Sequence, residues 1–184
     1  FAGCNLWSGR EQDRSSALCR FCDTDFVGTD GEGGGKFATA AALADAVAAC
    51  WGEVTGGTRY VVITGGEPLL QLDAVLIEAL HEHGFEIGVE TNGTIAAPSG
   101  IDWLCVSPKA GSKTVQRSGN ELKLIWPQPG SDAAVMSGWA FDHFLIQPMD
   151  GAELAANRAA SIAFILANPK WRLSTQTHKV LGIA

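Results

Sequence analysis

The stretch Tyr60–Gly84, YVVITGGEPLLQLDAVLIEALHEHG, decides the fold. It opens with Tyr60–Thr64, a short β-branched run that is typical of a buried parallel strand. Pro68 then suits the first turn of a helix that carries leucines at helical spacing and ends at Gly84. A strand, a loop and a helix in this order form one unit of an α/β fold with a parallel sheet.

Strand and helix patterns alternate on both sides of this unit. The intervals 107–121 and 127–142 contain no long amphipathic helix, so the predicted strands outnumber the helices. A closed barrel of eight strand–helix units needs about 200 residues or more. We therefore predict an incomplete parallel βα barrel that forms a single domain over residues 1–184. Its six strands are Tyr60–Thr64, Phe85–Val89, Trp103–Val106, Leu122–Trp126, His143–Gln147 and Arg172–Thr175, and its three main helices run from a Thr39 cap to about Trp51, from Pro68 to Gly84, and over about Ala152–Ala167.

The bulk composition restricts the class of protein. The 184 residues carry a formal net charge of −7, which argues against a nucleic-acid-binding surface. No apolar run approaches the length of a membrane span, so no membrane contact is predicted. The sequence begins at Phe1 rather than at a methionine, and we expect the natural chain to have further residues before it.

Polar motifs follow four of the predicted strands directly. They are Gly65–Pro68 (GGEP), Glu90–Gly93 (ETNG), Ser107–Lys109 (SPK) and Gln147–Asp150 (QPMD). In open parallel sheets, ligands bind beyond the carboxyl ends of the strands. Each motif alone is more typical of an ordinary turn than of a ligand site, but four in succession, in a chain that also carries a three-cysteine site, predict a ligand site at this edge.

Three cysteines near the start of the chain, Cys4, Cys19 and Cys22, form a soft ligand set that suits an iron–sulfur cluster or zinc. Three thiolates on a cubane of four irons would leave one iron open to another ligand. Residues 5–18 would then be a polar insertion that loops out between the first two ligands.

Other readings of the cysteines stay open at this point. A zinc site usually has four ligands, and a thioredoxin-like redox pair would need only Cys19 and Cys22. Cys50 and Cys105 lie singly in apolar stretches and are expected to be buried thiols. Five cysteines without a secretory segment argue against disulfides and favour a cytoplasmic protein.

The combined motifs resemble a known superfamily. Cys19-Arg20-Phe21-Cys22 after Cys4, followed by Gly65–Pro68, is similar to the radical S-adenosylmethionine superfamily. A narrower resemblance, to the 7-carboxy-7-deazaguanine synthase family, covers nearly the whole chain. The stretches that carry it are Phe1–Trp7 (FAGCNLW), Phe21–Thr24 (FCDT), Val62–Leu69 (VITGGEPL), Glu90–Gly93, Ser107–Lys109, Lys123-Leu124 and Gln147–Met149 (QPM).

The resemblance implies an activity, cofactors and partners. The activity would be that of a carbon–nitrogen lyase that converts 6-carboxy-5,6,7,8-tetrahydropterin into 7-carboxy-7-deazaguanine, with loss of ammonia. This reaction belongs to queuosine and deazapurine biosynthesis, and so to tRNA modification. The implied cofactors are a [4Fe–4S] cluster, S-adenosyl-L-methionine and Mg²⁺. The implied partners are the small-molecule pterin, an electron donor such as flavodoxin or ferredoxin, and a second copy of the chain in a homodimer.

The resemblance also implies roles for single residues. The cluster ligands would be Cys4, Cys19 and Cys22, and Thr24 would be a magnesium ligand. Thr64 and His178 would contact the substrate, although His178 is equally typical of a solvated surface histidine. The residues implied to bind S-adenosylmethionine are Phe21, Asp23, Gly65, Gly66, Glu90, Asn92, Ser107, Lys109, Gln147 and Asp150.

Two alternatives compete with this interpretation. A glycyl-radical-activating enzyme also uses a small partial barrel, but it acts on a protein and usually has three residues between its first two cysteines, where this chain has fourteen. A zinc-stabilised α/β binding domain would have no catalytic activity. Iron content separates the second alternative from the others, and product analysis separates the first.

Overall fold

The computed structural model describes residues 1–31, 33–53 and 56–183. Its centre is a six-stranded sheet in which every neighbouring pair is parallel and the spatial order equals the chain order. Within these residues, the first and last strands each pair with a single neighbour, so the sheet is not closed. The strands are β1 (Arg59–Ile63), β2 (Phe85–Thr91), β3 (Trp103–Val106), β4 (Ser118–Trp126), β5 (Ala140–Pro148) and β6 (Trp171–Leu173). The predicted open parallel fold is confirmed.

Among the residues that the structure describes, three longer helices accompany the sheet, as predicted. They are α1 (Ala40–Trp51), α2 (Ala74–Glu82) and α4 (Leu154–Ala167), and two short helices are α3 (Ala133–Met136) and α5 (Thr177–Leu181). The predicted cap of α1 is present, since Thr39 Oγ1 accepts a hydrogen bond from Ala42 N at 3.1 Å. No helix in the described part of the chain is both long and apolar enough to cross a membrane.

The predicted helix from Pro68 to Gly84 is wrong at its start. Pro68–Leu70 form a single 3₁₀ turn, and α2 begins only at Ala74. Asp73 is its cap, because its carboxylate accepts the N–H of Leu76 at 2.9 Å. The side chain of Glu67 caps the 3₁₀ turn at Pro68 separately. Two capped helical segments therefore follow each other, and the first ends before α2 begins.

Several strands begin or end at other residues than predicted. Strands β4 and β5 start four and three residues earlier than predicted, at Ser118 and Ala140, because the two strands pair along their whole length. Strand β6 is instead shorter and ends at Leu173. The start of β4, Ser118–Glu121, is polar or glycine and so does not show the apolar pattern of a buried strand.

The core lies between the sheet and the helices. The strand side chains Ile87, Val106, Leu122, Leu124 and Ile146 are completely buried. Towards the β1 edge of the sheet, α2 packs on β2 and on α1, and towards the β6 edge, α4 packs across β5 and β6. Phe164 packs against Trp126 in a tilted arrangement and against Trp171 edge to face, and these contacts fix α4 there.

Two sequence expectations outside the sheet need correction. Residues 5–18 do not simply loop out, since Glu11–Ser16 form a 3₁₀ helix and both Leu6 and Trp7 are buried. Cys105 is buried as expected, and burial raises the pKa of its thiol to about 12. Cys50 is exposed, because it lies on the outer face of α1.

Candidate active site

A cavity of about 650 Å³ opens beyond the carboxyl ends of the strands, a volume typical of small-molecule sites. The four strand-end motifs and the three cysteines meet there, because carboxyl ends of parallel strands share one edge of the sheet. Each of the sixteen residues singled out from the sequence lines it: Cys4, Cys19, Phe21, Cys22, Asp23, Thr24, Thr64, Gly65, Gly66, Glu90, Asn92, Ser107, Lys109, Gln147, Asp150 and His178. Their individual roles remain predictions.

The paired glycines after β1 allow close approach of the chain's own first residues. Gly66 N donates to the carbonyl of Phe1 at 3.0 Å, and Phe1 N donates to the carbonyl of Thr64 at 2.8 Å. A Cβ atom on Gly66 would lie 2.0 Å from the carbonyl oxygen of Gly3. The segment that carries Cys4 therefore packs on this loop, a contact that the sequence interpretation, which gave the glycines a ligand, did not foresee.

Glu67 connects this loop to the next strand end. Its side chain is fully buried, and Oε1 accepts from Leu69 N at 3.0 Å and from the Thr91 hydroxyl at 2.7 Å. Oε2 accepts from Asn92 N at 2.8 Å. A buried carboxylate needs several donors, and all three belong to the chain itself. The sequence interpretation assigned Glu67 no role.

Asn92 faces the first cysteine. Its Nδ2 donates to Asn5 Oδ1 at 3.0 Å and lies 4.0 Å from the sulfur of Cys4. The backbone N–H of Leu6 also donates to that sulfur, at 3.4 Å. Asn92 is thus engaged with the Cys4 segment as well as lining the cavity.

The side chains of Cys19 and Cys22 lie close enough to affect each other's ionisation. The Cys19 thiol first, and then the N–H and hydroxyl of Thr24, lower the pKa of Cys22 to about 6, although burial opposes the shift. The proximity of Cys22 and burial raise the pKa of Cys19. Donor groups close to the Cys22 sulfur favour its thiolate, which is the form that binds iron.

The cysteines fit a cluster better than a single ion. Within the described ranges, no three His, Cys, Asp or Glu side chains are grouped closely enough to hold one metal ion. A cubane has no such requirement, since each thiolate binds a different iron, and three thiols at one wall of a cavity supply that donor set.

Two lysines lie on the floor of the cavity. Lys109 Nζ donates to the carbonyl oxygen and the hydroxyl of Ser107, at 2.6 and 2.8 Å. Burial lowers the pKa of Lys109. Lys123 Nζ pairs with Glu90 Oε1 at 2.7 Å, and attraction to Cys105 and Glu90 raises the pKa of Lys123 against the effect of burial. In the sequence analysis, Lys123 was named only as part of a motif and was given no role. Glu121 and Lys123 are two residues apart on β4 and so share a face of the strand, which could have placed Lys123 at the cavity.

The carboxylates of Asp23 and Asp150 meet one ammonium group. Lys179 Nζ contacts Oδ2 of both at 2.5 Å, and Gln176 Nε2 donates to Asp23 Oδ2 at 2.8 Å. Burial favours a higher pKa of Asp23, but the hydrogen bonds from Lys179 and Gln176 outweigh it, so the pKa is lowered. The bond from Lys179 also lowers the pKa of Asp150. No sequence signal pointed to Lys179 or Gln176, which lie in a short helix and the loop before it.

Comparison with known proteins agrees with this geometry. The profile of the Radical SAM superfamily matches residues 14–123. A protein of Bradyrhizobium diazoefficiens named 7-carboxy-7-deazaguanine synthase is 63% identical over 183 residues, which is 100% of this chain and 87% of that protein. Proteins of the same name from Bordetella pertussis and Caulobacter vibrioides are 59% and 60% identical, with the same shares covered.

A solved structure is also similar. QueE from Escherichia coli aligns with a TM-score of 0.55 and 26% identity, over 72% of this chain and 63% of that chain. The chain thus spans somewhat less than two thirds of that structure. Nothing in these relatives favours the glycyl-radical-activating or zinc-binding alternatives. The chain belongs to the Radical SAM superfamily and, within it, to the 7-carboxy-7-deazaguanine synthase family.

Proposed function

We propose that this chain converts 6-carboxy-5,6,7,8-tetrahydropterin into 7-carboxy-7-deazaguanine, with loss of ammonia, in queuosine and deazapurine biosynthesis. We further propose that residues 1–184 form one catalytic domain. The observation that carries the proposal is the convergence of three thiols and four strand-end motifs on one cavity, in a chain so similar to relatives of that name.

In this proposal, Cys4, Cys19 and Cys22 hold a [4Fe–4S] cluster. When bound, the cluster supplies the electron that cleaves S-adenosylmethionine and so starts radical chemistry on the substrate. The chain contributes the ligands and their surroundings: the amide groups of Leu6 and Asn92 lie near the Cys4 sulfur, and Thr24, close to Cys22, lowers the pKa of its thiol. Hydrogen bonds to sulfur ligands are among the factors that set a cluster's reduction potential.

S-adenosylmethionine would lie along the strand ends next to the cysteines. Carbonyl groups of Gly65 and Gly66 are suited to accept hydrogen bonds from its ammonium group, and Glu90 from its ribose hydroxyls. Because Lys123 pairs with Glu90, the carboxylate is held in place on the cavity floor. The other proposed contacts are Phe21, Asp23, Asn92, Ser107, Lys109, Gln147 and Asp150.

The pterin would occupy the rest of the cavity, against Thr64 and His178. A magnesium ion bound by the Thr24 hydroxyl would hold the substrate carboxylate; magnesium usually keeps several waters and needs few protein ligands. Fixing the substrate beside the cofactor would lower the activation barrier, because the two reactants are already correctly positioned and oriented.

We also propose flavodoxin or ferredoxin as the electron donor, a homodimer as the assembly and the cytoplasm as the location. The reducing cytoplasm suits three free thiols and an external one-electron donor.

Anaerobic reconstitution followed by product analysis tests the proposal. We expect about four irons per chain, broad visible absorption and formation of the deazapurine by the wild-type protein. Alanine at Cys4, Cys19 or Cys22 should abolish cleavage of S-adenosylmethionine, while alanine at the exposed Cys50 should not. Full activity of Cys19→Ala, or a fully loaded wild-type protein that forms no deazapurine, would overturn it.

A further inference from the structure

One side chain at the cavity mouth, that of Lys179, joins three separate parts of the chain. Its ammonium group donates to Asp23 Oδ2 and Asp150 Oδ2, both at 2.5 Å. Asp23 directly follows the Cys22 ligand, Asp150 follows β5, and Lys179 itself belongs to α5. From the same C-terminal segment, Gln176 Nε2 adds a hydrogen bond to Asp23 Oδ2 at 2.8 Å.

The bridge spans the open side of the sheet. The cysteine segment, residues 1–26, is fastened to the ends of β1 and β2, because Glu67 N donates to the carbonyl of Gly3 at 2.9 Å and Asn92 Nδ2 to Asn5 at 3.0 Å. Within the segment, Gly3 N donates to the carbonyl of Phe26 at 3.3 Å, which holds the part that follows Cys22 beside its start. Across residues 1–31, 33–53 and 56–183, β1 and β6 do not pair with each other. The contact between Asp23 and Lys179 therefore links the β1–β2 side of the cavity to the β5–β6 side.

Little packing holds the C-terminal segment in this position. Helix α5 has no buried residue, and Val180 and Leu181 are 66% and 64% exposed. Exposed ion pairs are individually weak, but here one ammonium group is shared by two carboxylates whose side chains are 41% and 30% exposed. Residues 174–176, His178 and Lys179 all line the cavity, so whatever fastens this segment also places that part of the cavity wall.

We propose that Lys179 is a positioning residue that fastens residues 174–181 across the cavity mouth and thereby retains the substrate. The proposal rests on the function proposed above. Lys179 acts through the segment that it holds: it places Gln176 and His178 at the cavity, and it ties their wall to the wall that carries Cys22.

Three variants of the reconstituted protein test this role. Lys179→Met removes the charge and keeps the length of the side chain, and Lys179→Arg keeps the charge. Lys36→Met, an exposed lysine that does not line the cavity, is the matched control. For each variant we would measure kcat and KM for the tetrahydropterin, iron content, and hydrogen–deuterium exchange of peptides from residues 170–183.

In Lys179→Met we expect the KM for the pterin to rise about fivefold or more, with iron content unchanged and faster exchange in residues 174–181. Lys179→Arg should restore most of the affinity, and Lys36→Met should equal the wild type. A KM of Lys179→Met equal to that of the wild type would overturn this inference. A wild-type protein that forms no deazapurine would instead overturn the proposed function, and exchange data on the same proteins keep the two outcomes distinct.

Discussion

The buried carboxylate of Glu67 accepts the backbone N–H of Asn92 at 2.8 Å, and this bond holds the ends of β1 and β2 together. The same loop supports the first residues of the chain, since Glu67 N donates to Gly3 O at 2.9 Å. The position of Cys4 thus depends on a residue that touches neither the cysteine nor the cavity.

Glu67→Gln should lower the free energy of unfolding by about 1–3 kcal/mol, the usual effect of leaving a buried donor without its acceptor. A glutamine can accept through only one oxygen, and its NH₂ group would face the N–H of Asn92 or of Leu69. Urea unfolding of the apoprotein measures the change. Glu78→Gln, on the exposed face of α2, is the control. A loss no larger in Glu67→Gln than in the control would contradict this account.

Gly66→Ala should displace the cysteine segment, because the added Cβ would lie 2.0 Å from the carbonyl oxygen of Gly3. We expect the iron bound per chain after reconstitution to fall, since Cys4 moves with Gly3. Gly31→Ala is a suitable comparison, as a Cβ there meets no atom within 4 Å. Equal iron content in both variants would show that the segment adapts without loss of the ligand.

The ion pair between His83 and Asp45 should stabilise the fold only at lower pH. The carbonyl of Ala79, then the carboxylate of Asp45, raise the pKa of His83 above its ordinary value of 6.5. Because this pKa is raised, the contribution of His83 to the free energy of unfolding is fully present below pH 6.5. It is lost as the pH rises through the pKa of His83 in the folded protein. Asp45→Asn should therefore be less stable than the wild type at acidic pH and equal to it at alkaline pH.

Urea unfolding midpoints of both proteins at several pH values measure this difference. The exposed Asp142→Asn serves as the control, because its residue faces no histidine of α2. A difference in unfolding midpoint between Asp45→Asn and the wild type that stays constant or widens as the pH rises would refute this expectation.

Thr24→Val should weaken turnover and its response to magnesium while iron content stays the same. The side chain keeps its size but loses the hydroxyl that we propose as a ligand. Thr24 also lowers the pKa of the Cys22 thiol, so iron content must be measured in parallel. Thr24→Ser retains the hydroxyl and should behave like the wild type. Normal turnover and an unchanged magnesium titration in Thr24→Val would place the ion elsewhere.

The sequence by itself determined the parallel sheet and the strand-end motifs that line the cavity. Alternating strand and helix patterns allow few topologies, and parallel strands bring their carboxyl ends to one edge. Residues as distant in sequence as Gly65 and Gln147 could therefore be assigned to one edge of the sheet from strand positions alone. The three cysteines could be assigned to an iron–sulfur cluster only through a resemblance, because the spacing of thiols does not distinguish iron from zinc.

Only the tertiary structure revealed what holds the site together. Glu67 meets Asn92 across 25 residues of sequence, and Lys179 meets Asp23 across 156. Such bonds depend on the conformation of loops and on a five-residue helix, where no periodicity indicates which way a side chain points. Secondary structure repeats along the chain and can be read from it, whereas contacts between loops exist only once the sheet has brought them together.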